Sequence, residues 1–354
     1  MRVVVIGGGV AGLSAAAALS AGAEVTVLER EGALGYHASG RSAAMFEENY
    51  GNAVVNALSR ASRRALEAAG VLSPRGLLGV AFEDEAEVFG KDIEALGLIE
   101  VPVEEAHRRV PILSDQIVRA GIHDEAEDID TGRLLDHFAR RVTDGSGRIV
   151  KGGEVTGITR SGNAWQVTAG GETHVADVIV NAAGAWVDAI AAMAGVKPIG
   201  FQPLRRSMAR LPAPGGRDLR HWPMLMGPGE TWYAKPDAGA WIVSPAEEDP
   251  VQPMDAWADD MVLAEGIARY EAYVTEPVTR VIANWAGLRT FAPDRTLVIG
   301  EDPEAEGFFW MAGQGGYGFQ TAPAAGALLA DLVFGRTPVL ETHLVAAVAP
   351  GRFR

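Results

Sequence analysis

Three glycines near the head of the chain, Gly7, Gly9 and Gly12, stand at the spacing G-x-G-x-x-G between a β-branched run and an alanine run. Each place meets a physical demand. The first glycine permits a tight strand-to-helix turn, the second lets backbone approach a pyrophosphate, and the third lets the helix pack closely on the strand. The helix start beyond offers free N–H groups and a partial positive charge to phosphates. Glu29 ends the next apolar run, where a carboxylate takes both ribose hydroxyls and repels a 2′-phosphate. These residues point to a dinucleotide. Far along the chain, Arg289 lies in the apolar segment WAGLRTF. An unpaired guanidinium in such a setting is costly, so it calls for a partner or an anionic ligand. Arg206, in the cluster LRRSMAR, reads by itself as solvated surface.

To position these groups the chain needs a parallel sheet. The first unit reads as strand Arg2–Ile6, turn Gly7–Gly9, helix Val10–Ala21 and strand Glu24–Leu28. Helical periodicity follows over Asn52–Ala69 and again over 131–143, with Asp130 or Thr131 as a possible N-cap. Strands are expected at Leu72–Phe82, Ile117–Ile122, Arg148–Lys151, Val155–Thr159, Ala164–Ala169 and Val178–Asn181. From about 199 to 285, prolines and tryptophans become frequent and short apolar strands such as Trp241–Ser244 alternate with turns. That composition suits a mixed or antiparallel sheet. The strand Phe308–Ala312 then runs into GQGGYGFQTAPAAG, a glycine turn that opens an alanine-rich helix.

A chain of 354 residues, 48% hydrophobic and 22% charged, is sized for two domains of ordinary globular composition. A net charge of −15 excludes the concentrated basic surface that nucleic-acid binding needs. The chain has no cysteine, which rules out disulfides, thiolate metal sites, a cysteine nucleophile and cysteinyl attachment of a cofactor. No metal site is expected. Met1 and Arg2 lead directly into the first strand, and no apolar run of spanning length occurs, so a cytoplasmic protein without a membrane span is expected.

Two features distinguish among dinucleotides. The second strand is followed by a long polar loop carrying Arg30, Ser39, Arg41 and Ser42, the kind of wrap a larger cofactor with an extended head requires. The strand VIVNAAGAWVD ends in small residues that let the chain pass against a cofactor. Taken with GYHASGRSAA, WAGLRTFAPD and GFFWMAGQGGYGFQTAPAAG, the chain resembles the D-amino-acid oxidase superfamily of FAD enzymes along nearly its whole length. Within it, the sequence looks most like the bacterial D-arginine dehydrogenase-like D-amino-acid dehydrogenases. The fold so implied is α/β: a split Rossmann-like FAD-binding domain (1–70, 124–198 and 286–354) with an inserted mixed-sheet substrate domain (71–123 and 199–285).

The resemblance implies roles residue by residue. Gly7, Gly9, Gly12, Glu29 and Arg30 would hold the ADP half of FAD, with Val155 at the adenine and Ala183 and Gly184 beside the pyrophosphate. Arg41, Ser42 and Ala43 would pass near the flavin ring. The turn Gly315, Gly316, Tyr317, Gly318 to Gln320 would lie at its pyrimidine edge, where a helix N-terminus stabilises developing negative charge. Arg206 and Arg289 would clamp a substrate carboxylate, Tyr50 and Tyr233 would line the site, and the Gly316 carbonyl would meet the amine. FAD would be non-covalent.

Three positions depart from the arginine-specific relatives. Leu77 replaces a glutamate, and Met45 and Glu47 replace a histidine and a threonine, which puts arginine preference in doubt: a wall of Leu77 and Met45 favours an apolar or aromatic side chain, whereas Glu47 or Glu48 would recruit a cation from another direction or face solvent. The function implied is oxidative deamination of D-amino acids to 2-oxo acids and ammonia by hydride transfer from Cα to flavin N5. The alternative is oxidation of a secondary amine or of glycine or sarcosine on the same fold. A flavin subunit passing electrons to a partner is a further possibility. The electron acceptor, oxygen or quinone, cannot be read from these residues.

Overall fold

The computed structural model describes residues 1–145 and 147–354. Its first sheet has six strands in the spatial order Val298–Glu301, Phe308–Ala312, Val178–Asn181, Arg2–Ile6, Glu24–Glu29 and Gly147–Lys151. Every neighbouring pair is parallel except the 298–301/308–312 pair. Continuous apolar runs such as VVVI suit this, because strands of a parallel sheet are covered on both faces. On one face lie the alanine-rich helices Val10–Leu19 and Gly318–Val333, with Ala53–Ala69 and Thr131–Asp144 around them. A second core, with Trp165, Phe308 and Trp310, fills the other face. A three-stranded sheet of Val155–Ser161, Ala164–Ala169 and Glu172–Ala176 adjoins it.

The second large sheet has nine strands and mixes both directions. Its longest members, Gln202–Leu211 and Ala283–Phe291, pair antiparallel from Gln202↔Phe291 to Arg210↔Ala283. The latter strand runs across residue 286. This sheet packs on a tryptophan-rich core that includes Trp222, Trp232 and Trp241.

Most expected elements appear within a few residues of their expected ends. Asn52 caps the helix Ala53–Ala69 by accepting from the N–H groups of Val54 and Val55, and Asp130 caps Thr131–Asp144 through Arg133. The expected strand Leu72–Phe82 is instead two strands. Leu72–Pro74 pairs with Glu127–Ile129 in a small sheet, and Leu77–Ala81 pairs with Arg119–His123 in the large one. The chain changes sheets at Gly76, whose φ of +76° only glycine adopts readily. Among the described residues, no helix is long and apolar enough to cross a membrane.

Candidate active site

Three adjoining cavities run from the carboxyl ends of the parallel strands to the face of the nine-stranded sheet. The first, of about 240 Å³, starts at the glycine turn. Gly7 holds φ +114°, and a Cβ on Gly12 would lie 1.9 Å from the Gly7 carbonyl oxygen, so strand, turn and helix close only with glycine at both places. Gly7, Gly9, Glu29, Arg30, Arg41, Val155, Ala183 and Gly184 line this cavity. Gly12 does not; it makes the helix–strand contact beneath it. Glu29 is buried and accepts the Gly8 N–H at 2.7 Å and the Glu31 N–H at 2.8 Å, so its carboxylate orders the turn while retaining lone pairs for a ligand. The Arg30 guanidinium lies 4.2 Å from the Trp186 ring centroid and 3.0 Å from His37 Nε2. His37 is half-buried against Trp186 and also lines the cavity.

The second cavity, of about 150 Å³, shares Gly9, Ser39, Arg41 and Gly184 with the first. Ser42, Ala43, Gly315, Gly316, Gly318 and Gln320 line it, as do Arg206 and Arg289. Arg41 is fixed from outside by the carbonyls of Ala256 and Ala286 and by Asp255. Tyr317 corrects the expectation for its turn: it is not on the cavity wall, and its ring packs against Tyr50 and Phe291. Among the described residues, Thr290 Oγ1 and Gln314 Nε2 are buried on this wall without hydrogen-bond partners. Buried polar atoms of this kind require partners, and a flat heterocycle with polar edges supplies them. A long channel with an anion-binding turn at one end and these atoms at the other fits a dinucleotide with an extended ring system.

The third cavity, of about 90 Å³, opens between Met45, Glu47, Leu77, Leu96, Met224 and Met226 on one side and Tyr50, Tyr233, Arg289 and Gly316 on the other. The antiparallel pairing of Gln202–Leu211 with Ala283–Phe291 brings the strands carrying Arg206 and Arg289 side by side. Arg206 is only 5% exposed, in contrast to the solvated cluster its sequence suggests. Arg289 Nη1 donates to the Tyr50 hydroxyl at 3.1 Å. Gly316 must be glycine for this approach, since a Cβ there would lie 2.9 Å from Arg289 Nη1. Burial pushes the Tyr50 phenol far above its ordinary value, so it remains a neutral donor. Tyr233 lines this cavity as expected, with its hydroxyl directed at Met208 Sδ, 3.5 Å away, and its ring under the Arg206 guanidinium.

Two participants have no signal in the sequence. Glu230 reaches into the arginine pair. Its Oε1 lies 2.8 Å from Arg206 Nη1, 3.6 Å from Arg289 Nη1 and 2.9 Å from the Tyr50 hydroxyl. It holds φ +54° in the turn Pro228–Glu230, anchored by the Gly229 N–H on Asp92. Burial would raise the Glu230 carboxyl, but Arg289 and Arg206 outweigh that and hold it below its ordinary value. His123 is the second. It ends the strand opposite Leu77, and its Nδ1 lies 2.5 Å from Glu47 Oε2. Glu47 is buried, and burial raises its carboxyl above the ordinary value against the Asn49 N–H and His123.

Comparison with known proteins follows the same lines. Residues 2–332 match the family described as DAO, FAD dependent oxidoreductase. The glycine oxidase of Pseudomonas aeruginosa is 29% identical over 96% of this chain and 96% of its own. Among solved structures, L-proline dehydrogenase from P. horikoshii superposes with a TM-score of 0.83 at 24% identity, covering 99% of this chain and 97% of that one. Glycine oxidase from Geobacillus kaustophilus superposes with a TM-score of 0.83 at 22% identity, covering 97% and 98%. The family match over residues 2–332 carries the family, and the solved structures share the fold. The narrower likeness to D-arginine dehydrogenases rests on sequence motifs alone.

Proposed function

The chain belongs to the DAO family of FAD-dependent oxidoreductases, and from that premise we propose that it oxidises small α-amino acids at Cα, D-amino acids with an apolar side chain first among them. One observation carries this reading: Arg289 and Tyr50 line a cavity that borders the second one through Ala43 and Gly316, and Arg206 lies beside Arg289 on the wall of that second cavity. A planar guanidinium pairs both oxygens of a carboxylate, and a second cation beside it fixes the orientation. In this arrangement Arg289 and Arg206 hold the substrate carboxylate and the Gly316 carbonyl accepts from its amine. Met45, Leu77, Leu96, Met224 and Met226 wrap the side chain. FAD would lie along the first two cavities, its ADP half on Gly7, Gly9, Glu29 and Arg30 and its ring between Ser42, Ala43 and Gly315 to Gln320; when bound it supplies the hydride acceptor. The chain's own contribution is orientation and exclusion of water, which together lower the barrier by positioning rather than by proton transfer. The imino acid released hydrolyses in water to a 2-oxo acid and ammonia.

The size of the third cavity, about 90 Å³, favours a second reading: glycine or an N-methylated glycine as substrate. The name of the P. aeruginosa relative supports it. A panel of D-, L- and N-methyl amino acids, scored by release of 2-oxo acid with ammonia, or with methylamine from the N-methyl compounds, separates the two. Release from D-alanine and D-valine above that from glycine supports the first reading. Release from glycine or N-methylglycine alone supports the second, and release from L-amino acids alone overturns both.

A further inference from the structure

Arg289 lines the third cavity and Arg206 stands beside it on the wall of the second, two guanidiniums where a single α-carboxylate needs one full counter-charge, and Glu230 resolves the mismatch. Its carboxylate lies 2.8 Å from Arg206 and 3.6 Å from Arg289, and shares the Tyr50 hydroxyl with Arg289. Glu248 bridges Arg206 at 3.5 Å and Arg295 at 2.8 Å, so its charge is matched by Arg295. Glu247, whose backbone carbonyl accepts from Arg206 and whose carboxyl is raised by burial, lines neither the second nor the third cavity, and Glu47 holds His123. Arg206, Arg289 and Glu230 together therefore carry one net positive charge. The rest of the third cavity's lining is apolar or neutral apart from the acid Glu47, so a second carboxylate would meet no cation there.

We infer that Glu230 is a specificity-determining residue: it cancels one arginine charge, restricting the cavity to ligands with a single carboxylate and rejecting dicarboxylates. This inference rests on the reading of Arg206 and Arg289 as the carboxylate clamp. The turn that carries Glu230 supports a dedicated role. A non-glycine residue at φ +54° is held there against its own preference by Gly229 on Asp92, and such residues cluster at ligand clamps. A dicarboxylate would bring its second charge beside Glu230 or Glu47, where like charges repel strongly in a poorly hydrated site.

The test uses two acids that cannot be oxidised as amines, propanoate and malonate, which share a three-carbon chain and differ in carrying one carboxylate or two. Binding to the FAD-loaded protein is measured by calorimetry and by thermal shift, with no turnover required. Wild type should bind propanoate more tightly than malonate by roughly tenfold or more. In Glu230→Gln that ratio should fall by roughly tenfold or more, toward malonate. Equal or tighter malonate binding by wild type overturns the inference without any variant, as does an unchanged ratio in a folded Glu230→Gln protein. Glu230→Asp, which keeps the charge, should keep the preference for propanoate. If neither acid binds, the clamp reading fails together with this one. If amino acids are oxidised while both acids bind alike, only the inference about Glu230 fails.

Discussion

On the proposed reading Arg289 holds the substrate carboxylate, and its surroundings make it a poor site for substitution. Tyr50 accepts from its guanidinium, Gly316 leaves room for it, and Glu230 lies within reach. Lysine at this place keeps the charge but loses the planar fork, so Arg289→Lys should lower kcat/KM by about 100-fold or more, with FAD still bound. Steady-state kinetics with the best substrate checks this. Glu230 makes a prediction about pH. Its carboxyl is held below its ordinary value, so its contribution to stability is present above about pH 4.3 and is lost as pH falls through the lower folded value. Urea midpoints of wild type and Glu230→Gln should therefore differ at neutral pH and converge on acidification. A gap that stays constant down to pH 3, roughly a unit below the free carboxyl value, contradicts the assignment. At this scale the sequence was partly legible. Arg289 announced itself through its apolar neighbours, whereas Glu230 sits in an ordinary turn, PGE, and becomes part of the site only when the sheet brings Arg206 beside it.

Elements explain why some expectations met the structure closely. The strand Arg2–Ile6 is bounded by a glycine that no other residue can replace, and Thr131–Asp144 by an aspartate that satisfies a free N–H, so both ends were legible in residue chemistry. The Leu72–Phe82 segment was not, because its apolar pattern continues across Gly76 while the chain passes from one sheet to another. The helices Ala86–Leu96 and Asp260–Ala272 are not legible in the sequence for a related reason: their packing depends on the large sheet and its loops. Gly12→Ala tests the first element directly. A methyl group 1.9 Å from the Gly7 carbonyl must push the helix off the strand, at about 1–3 kcal/mol, and the purified variant should be colourless where wild type is yellow. Removing a cap is milder: Asn52→Ala should cost about 1 kcal/mol in chemical denaturation and leave the flavin in place.

The whole molecule is two large sheets that share one line of cavities, with the glycine turn and the Arg206–Arg289 pair on different sheets. A bound dinucleotide spans both, so FAD at 100 times its dissociation constant should stabilise the fold by about 2.7 kcal/mol and raise Tm. With no cysteine for attachment, acid precipitation should leave the flavin in the supernatant and a colourless pellet; a yellow pellet would point to another covalent link. The central claim is that oxidation depends on a substrate carboxylate held by Arg206 and Arg289. Anaerobic mixing of the yellow protein with D-alanine or glycine, and separately with the matching carboxamides, tests it by the flavin's visible absorption band. The free acids should bleach the band and the amides should leave it unchanged. Equal bleaching by the amides, or none by any amino acid, contradicts the account.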